Sequence, residues 1–315
     1  MPRTSRTPVA VTTLTLNPAV DVSFEVDRLA PTRKLRVQAL RRDPGGGGVN
    51  VARVIRRLGG AAQAVFPAGG PTGERLKKML EDEDASFLAI PAARETREDF
   101  TVTDRASGEQ FRFVAPGERL SRMEWRASLQ AASQASTPWI VASGSLPPGV
   151  PVTLYGQFAR RVRAAGAKLA LDASGPALAH GDGAWLIKPN VGELEALVGR
   201  DLPGLVDRVA ACRELLGRRA CEIVALSMGE EGALLVSANG AWRAQTPPTT
   251  VVSAVGAGDS FMGGLVYALA SGRPEVEALG WAVAAGTAAL SAPGTQLCHA
   301  AQVRRFRALV AIKSL

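Results

Sequence analysis

Ten residues late in the chain, Val255-Gly256-Ala257-Gly258-Asp259-Ser260-Phe261-Met262-Gly263-Gly264, combine the parts of an anion site with a carboxylate. A β-branched run, Thr249-Thr250-Val251-Val252, precedes them, and a helical pattern of small and apolar residues follows from Leu265 to Ala270. The spacing predicts a loop that opens a helix. Gly256 and Gly258 let the backbone approach a ligand and turn N–H groups outward. The first N–H groups of a helix lack intrahelical partners and favour negative charge. A phosphoryl group in transfer carries such charge, and Asp259 beside it could accept the proton of an attacking hydroxyl. The same residues also fit a glycine turn with Asp259 as an ordinary N-cap. Local sequence does not separate the two.

Other stretches could serve the same chemistry. Asp43-Pro44-Gly45-Gly46-Gly47-Gly48-Val49-Asn50 sets four glycines before a helical pattern that starts at Val51. Four glycines cost chain entropy and make sense where backbone must approach a ligand. The run is neither a Walker A loop nor GxGxxG. Asp21 follows the β-branched run Val9 to Leu16 and the turn Asn17-Pro18-Ala19, where it could bind a sugar hydroxyl or simply form the turn. Asn190 and Glu193 stand three apart at a helix start, a spacing that orients waters around Mg²⁺ and equally makes a capping box. Lys34 and Arg36 alternate with Leu35 and Val37 as one face of a strand pair over Phe24 to Leu40. Arg97 precedes, and Arg112 lies within, a hairpin predicted from Phe100–Val102, the Ser107-Gly108 turn and Gln110–Val114.

The elements that must position these groups alternate strand and helix. Strands are predicted at Val9–Leu16, Ala64–Pro67, Trp139–Ala142, Lys168–Leu171, Trp185–Ile187 and Ile223–Leu226, with helices between most of them. Alternation of this kind predicts a mostly parallel sheet covered by helices on both faces. Asp172 sits at the end of one strand, Ser143 to Gly149 leaves another, and Lys188-Pro189-Asn190 leaves a third. The segments at 22–40 and 100–114 break the alternation and predict a small accessory sheet. The helix over Val276 to Leu290 is dense in alanine and glycine, which permits close packing on a neighbour helix or a flat ligand.

Composition limits the classes available. The 315 residues are 46% hydrophobic and 21% charged, which indicates a globular chain rather than a disordered one. The net charge of +8 raises nucleic acid as a partner. The arginines, however, are spread along helical segments such as Arg53, Arg56, Arg57 and Arg160, Arg161, Arg163, and aromatics are only 5%. A solvated basic surface that attracts anionic metabolites is the better reading, with no nucleic-acid partner. Cys212, Cys221 and Cys298 have no CxxC spacing and suggest free thiols in a reducing, cytoplasmic compartment. No apolar run is long enough to span a membrane, and residues 1–8 form a basic tail without a signal core. Two distant histidines argue against zinc.

Five stretches occur in one order: Thr13 to Asp21, Pro44 to Arg53, Ser143 to Gly149, Lys188-Pro189-Asn190 with Glu193, and Gly256 to Gly264. Together they resemble the ribokinase-like sugar kinases, in the phosphofructokinase B branch, over nearly the whole chain. Gly47 stands where the fructose-1-phosphate and tagatose-6-phosphate kinases commonly carry lysine, and Gly108–Phe113 and Gly294–Cys298 resemble the branch members that act on fructose 6-phosphate. Asn17-Pro18 is closer to the fructose-1-phosphate kinases.

The resemblance implies a three-layer α/β/α doubly wound fold and a single domain over 1–315, with a β-sheet lid from about 22–40 and 95–115. It implies ATP-dependent phosphorylation of fructose 6-phosphate at C1, with phosphorylation of fructose 1-phosphate or tagatose 6-phosphate as the alternative. A nucleoside or ribose kinase fits the three cations less well. A non-catalytic binder of sugar phosphate or nucleic acid is the reading outside enzymes. Asp259 matches the base, and Gly256, Ala257 and Gly258 the anion hole. Asp21, Gly46, Gly47, Asn50 and Ser145 match sugar contacts, and Lys34, Arg97 and Arg112 match cations for the sugar phosphate. Lys188, Asn190 and Glu193 match the ATP phosphate and Mg²⁺ side, and Ser227, Gly229 and Gly232 the nucleotide wall. Lys34 also matches a residue tied to inhibition by excess ATP. A K⁺ site belongs to the family as well, and Ala292 and Gln296 replace the asparagine and arginine expected near it. The lid sheets imply a homodimer.

Overall fold

The computed structural model describes residues 11–135, 137–219 and 221–315. The basic tail at 1–8 and the first two residues of the expected opening strand lie outside them. In chain order the elements begin with β1 (Val11–Leu14), β2 (Ala19–Val26), β3 (Gln38–Gly45), α1 (Gly47–Arg57), β4 (Ala62–Ala68), α2 (Gly70–Asp82) and β5 (Ser86–Pro91). There follow β6 (Arg97–Asp104), β7 (Gln110–Phe113), α3 (Arg122–Gln134), β8 (Trp139–Ser143), α4 (Leu154–Ala164), β9 (Lys168–Asp172), α5 (Gly175–Ala179) and β10 (Leu186–Ile187). The last group is α6 (Val191–Val198), α7 (Leu205–Arg219), β11 (Ile223–Ser227), β12 (Ala233–Ser237), β13 (Gly240–Ala244), α8 (Ala257–Ala270), α9 (Glu275–Leu290), α10 (Ala300–Arg307) and β14 (Ile312–Ser314).

The large sheet runs β14-β13-β12-β11-β10-β9-β8-β1-β4-β5. Its strands from β11 through β5 are parallel, and β12 to β14 extend it antiparallel. Its inner strands are buried on both faces, and successive residues feed different cores. Val11, Val141 and Ile223 join the core under α1, α2, α8, α9 and α10. Leu14, Ile140, Ala142 and Val224 join the core under α3, α4, α6 and α7. Period-two burial therefore defines the three layers. Gly263 packs on Val54 of α1 and Gly264 on the Trp281 carbonyl of α9, so the small residues of α8 and α9 do serve helix contact.

After β1 the chain goes to β4 and β5 on one side, then returns to β8 on the other. The strand order thus reverses between β1 and β8, and the C-terminal strand ends open into a crevice there. The start of α1 is wedged into it. Val49 N–H donates to Thr15 Oγ1 at 3.0 Å. A Cβ on Gly47 would run into Ser143 Oγ and the Gly144 nitrogen, and one on Gly48 into Thr15 Oγ1 and the Leu14 carbonyl. Packing against the sheet edge thus accounts for two of the four glycines without any ligand.

The second sheet, β3-β2-β6-β7, stands beside this edge. The hairpin expected around Ser107-Gly108 forms as β6 and β7. Other expectations need correction. The strand pair expected over Phe24–Leu40 is instead β2 and β3, with residues 27–37 irregular between them, so Lys34 and Arg36 share no strand face. Asp43, Pro44 and Gly45 end β3 rather than forming a loop, and α1 begins at Gly47, four residues before Val51. The β-branched run 249–252 lies outside both sheets, and the N–H groups of Val252 and Ser253 bond to the Leu290 carbonyl at the end of α9. The three cysteines are free and buried, and no helix among the described residues is long and apolar enough to cross a membrane.

Candidate active site

Helix α8 points its N-terminus at the crevice. Gly256 precedes it at φ 75°, a left-handed conformation that a side chain would strain. The Ser260 N–H donates to the Gly256 carbonyl at 2.8 Å, whereas the N–H groups of Gly258 and Asp259 have no acceptor among the described residues. Lys188 leaves β10 with its side chain almost fully buried, and its Nζ lies about one van der Waals contact, 3.9 Å, from where a Cβ on Gly258 would be. Two free backbone donors at the helix mouth and a nearby ammonium make a place where an anion could sit.

Asp259 occupies the first turn of α8, partly accessible at the floor of the crevice. Its Oδ2 accepts a 2.9 Å hydrogen bond from Asn50 Nδ2 of α1. Burial and the nearby Asp172 carboxylate push it up to about 6, against the Asn50 hydrogen bond and the charges of Lys188 and Arg112. At neutral pH it is ionised but only weakly held so, which suits a group that takes and returns a proton. Lys188 pairs with Asp172 at 3.1 Å. Burial opposes its charge, but Asp172, Glu193 and Asp259 together hold it above the usual lysine value.

The small sheet supplies the opposite wall. Asp43, Asp21 and Asp99 stand side by side across β3, β2 and β6. Burial, then the charges of Asp99 and Asp259, push Asp21 up to about 7, against Arg97 and Arg112. Arg97 is mostly buried, bonded to Asp99 Oδ1 at 2.9 Å and to the carbonyls of Ala115 at 2.6 Å and Asn17 at 3.3 Å. Arg112 is exposed on β7 opposite Thr101, close enough to bias Asp21, Asp99 and Asp259. Asn17 Nδ2 bridges Ser145 Oγ and the Pro116 carbonyl, both at 3.0 Å, and so ties the β1–β2 turn to the loop after β8. Gly46 lies between β3 and α1, with φ 100°. Lys34 does not join this group. It is exposed in the irregular 27–37 segment and makes no hydrogen bond or ion pair among the described residues.

On the other side of the α8 N-terminus a cleft of about 590 Å³ opens. Ser227, Gly229, Gly232, Gly258 and Phe261 line it, with Val283 and Leu290 of α9 as an apolar floor. Asn190 and Glu193 form the capping box of α6: Asn190 Oδ1 accepts from the Glu193 N–H and Glu193 Oε2 from the Asn190 N–H, each at 2.9 Å. One Glu193 oxygen remains for other partners, and its charge reaches Lys188. No cluster of three or more acidic, histidine or cysteine ligands exists among the described residues. The donor set fits Mg²⁺ that keeps its waters and arrives with substrate phosphates, rather than a caged ion.

Sequence reading gave no site role to four residues of this region. Asp172 was legible as a carboxylate at a strand's C-terminal end, and Asp99 as a period-two companion of Arg97. Arg53, three residues beyond Asn50 on α1, offered helical spacing. Asn17 entered only through its turn and the resemblance it carries.

A Gly-opened helix N-terminus with a carboxylate in its first turn, set between a cleft and a sheet wall of acidic and basic residues, is the arrangement of a phosphotransferase-type site on a ribokinase-like fold. The chain belongs to the pfkB family of carbohydrate kinases, whose model matches residues 9–302. It is 42% identical over 304 residues to the ATP-dependent 6-phosphofructokinase isozyme 2 of Mycobacterium tuberculosis, covering 96% of this chain and 90% of that one. It is 40% identical to the protein of the same name from Escherichia coli K12, covering 92% and 95%. The crystal structure of phosphofructokinase-2 from Escherichia coli in complex with potassium superposes with a TM-score of 0.91 at 38% identity, covering 96% of this chain and 99% of that one.

Proposed function

We propose that the chain transfers the γ-phosphoryl group of ATP to the C1 hydroxyl of fructose 6-phosphate, giving fructose 1,6-bisphosphate. The observation that carries this is the place of Asp259, where the sugar-facing wall, the anion hole and the cleft meet. Asp259 accepts the hydroxyl proton. The N–H groups of Gly258 and Asp259, reached through the Gly256-Ala257 turn, stabilise the charge on the transferred group together with Lys188. Asp21, Asn50 and Ser145, with the backbone at Gly46 and Gly47, orient the ketose. Arg97 and Arg112 receive its phosphate. Lys34, exposed in the 27–37 segment, reaches it only when that segment or a partner subunit closes over the sugar.

ATP would lie in the cleft along Ser227, Gly229 and Gly232, where Asn190 and Glu193 would hold its Mg²⁺ through water. ATP supplies the phosphoryl group, and Mg²⁺ offsets phosphate charge. A K⁺ site at the loop carrying Ala292 and Gln296 would rest on backbone carbonyls and the Gln296 side-chain oxygen; the Thr295 hydroxyl beside them donates to Asp43 at 2.7 Å. The small sheet acts as a lid inserted in one kinase unit. Leu40, Phe113 and Val114, on or beside its edge strands, are each more than half exposed, which favours a homodimer through the lids. Anionic metabolites as substrates and buried free thiols favour the cytoplasm.

The test is ADP release with MgATP against fructose 6-phosphate, tagatose 6-phosphate, fructose 1-phosphate, ribose and no sugar. Fructose 6-phosphate should give the highest kcat/KM. A higher value for fructose 1-phosphate or tagatose 6-phosphate replaces the acceptor but keeps the machinery. No turnover by folded protein leaves a binder.

A further inference from the structure

Behind Asp259 lies a largely buried ion pair, Arg53 with Glu83, linked to it through Asn50. Arg53 is almost completely buried on the inner side of α1. Its Nε and one terminal nitrogen clasp Glu83, just beyond the end of α2, at 2.8 and 2.5 Å. Its other terminal nitrogen donates to the Pro44 carbonyl at the root of the lid, 2.9 Å, and to Asn50 Oδ1, 3.1 Å. Asn50 has one acceptor and one donor end. With Arg53 holding the oxygen, only the NH₂ group can face Asp259.

We propose that Arg53, braced by Glu83, is a positioning residue that fixes the side-chain amide of Asn50 so that it always donates to Asp259 and never opposes it with its oxygen. The bidentate clasp suits the task, because a guanidinium locked on two carboxylate oxygens presents its remaining nitrogen in one direction. A flipped amide would aim its oxygen at a carboxylate, which favours the protonated acid and removes the base. The groups facing Asp259 from the surrounding elements are Asp172 at the end of β9, Lys188 after β10, Arg112 on β7, Asp21 on β2 and Asn50 itself. Of these only Asn50 has an orientation that could reverse.

The inference rests on Asp259 as the base. Two variants test it, Arg53→Lys and Glu83→Gln, in the full-length protein with folding followed by circular dichroism and melting temperature. The expected result is a kcat lowered on the order of tenfold or more. The KM for ATP should be unchanged, and the acid limb of the kcat–pH profile should move upward by about half to one pH unit, the worth of one hydrogen bond to the carboxylate. Glu83→Gln, at the partly exposed end of the pair, should show the smaller effect in the same direction. An acid limb that stays in place in either folded variant, whatever happens to kcat, overturns the proposal and leaves Arg53 a merely structural residue. Asp259→Asn run alongside separates the two failures: turnover within tenfold of the parent removes the base itself, and with it the reason for positioning Asn50.

Discussion

Replacing Asp21 by asparagine should make the ligand-free protein more stable while it ruins sugar binding. Asp21 stands between Asp43 and Asp99 in the register of the small sheet, and its carboxyl is pushed from 3.8 to about 7. A carboxyl whose folded-state value is raised binds its proton more tightly folded than unfolded. Its ionised form therefore opposes folding. The associated stability is full below about 3.8 and is lost as pH rises through about 7. The interval sets a ceiling of about 4 kcal/mol at pH 8. Water entering the open crevice reduces it, and about 1–2 kcal/mol is the working expectation, or a few degrees in Tm for a chain of this size. Asp21→Asn mimics the protonated form. It should raise Tm at pH 8, add almost nothing at pH 4, and lower kcat/KM for the sugar phosphate by about 10²-fold or more, while the KM for ATP holds. Differential scanning fluorimetry across pH, with parallel kinetics, reads all of this. A gain of equal size at both pH values, or a loss at pH 8, would refute the repulsion argument.

Four other outcomes follow from the same geometry. Asp259→Asn should cost about 10²–10⁴-fold in kcat with ATP affinity intact by equilibrium binding. The kcat–pH profile of the parent should fall on the acid side near pH 6, where Asp259 gains its proton, and a limb near 4 would contradict the burial described for it. Gly47→Ala sets a methyl against Ser143 Oγ and the Gly144 nitrogen, so chemical denaturation should show a loss of about 1–3 kcal/mol even without substrate. Arg112→Ala should raise the KM for the sugar phosphate about tenfold or more with little change in Tm, because the side chain is exposed; an unchanged KM would leave Arg97 as the sole phosphate contact on the lid.

The parallel sheet was legible because each inner strand is a short apolar run punctuated by glycine or asparagine, and because helices separate the runs. The candidate site was legible where chemistry concentrates in contiguous residues, as in Gly256 to Asp259 and Lys188 to Glu193. What escaped was set by pairing across the chain. Nothing local in Phe24–Leu40 says that residues 27–37 leave the sheet, since Lys34 and Arg36 alternate as well as a strand does; the register is fixed by β2 lying beside β6, some eighty residues away. The glycines of 45–48 announced close approach correctly but not its object. Gly45 lies against the Asp21 carboxylate, and Gly47 and Gly48 lie against β8 and β1. The capping-box and metal readings of Asn190 and Glu193 proved compatible, because a box uses only one oxygen of the glutamate.

The hydrogen bonds that complete this site join the two ends of the sequence: Asn50 to Asp259, Asp43 to Thr295, and Arg57 to the Leu297 carbonyl. A ribosome adding about 5–20 residues per second needs about 10 to 40 seconds to cover the 209 residues from Asn50 to Asp259. Through that interval α1 and the root of the lid exist without their partners, and contacts of such separation are slow to close. A nascent chain, or one cut before Gly256, would hold α1 and the small sheet without Asp259 or the backbone donors that open α8. On the proposed reading such a chain lacks the groups that consume ATP, so competence arises only once α8 has been made and has met α1.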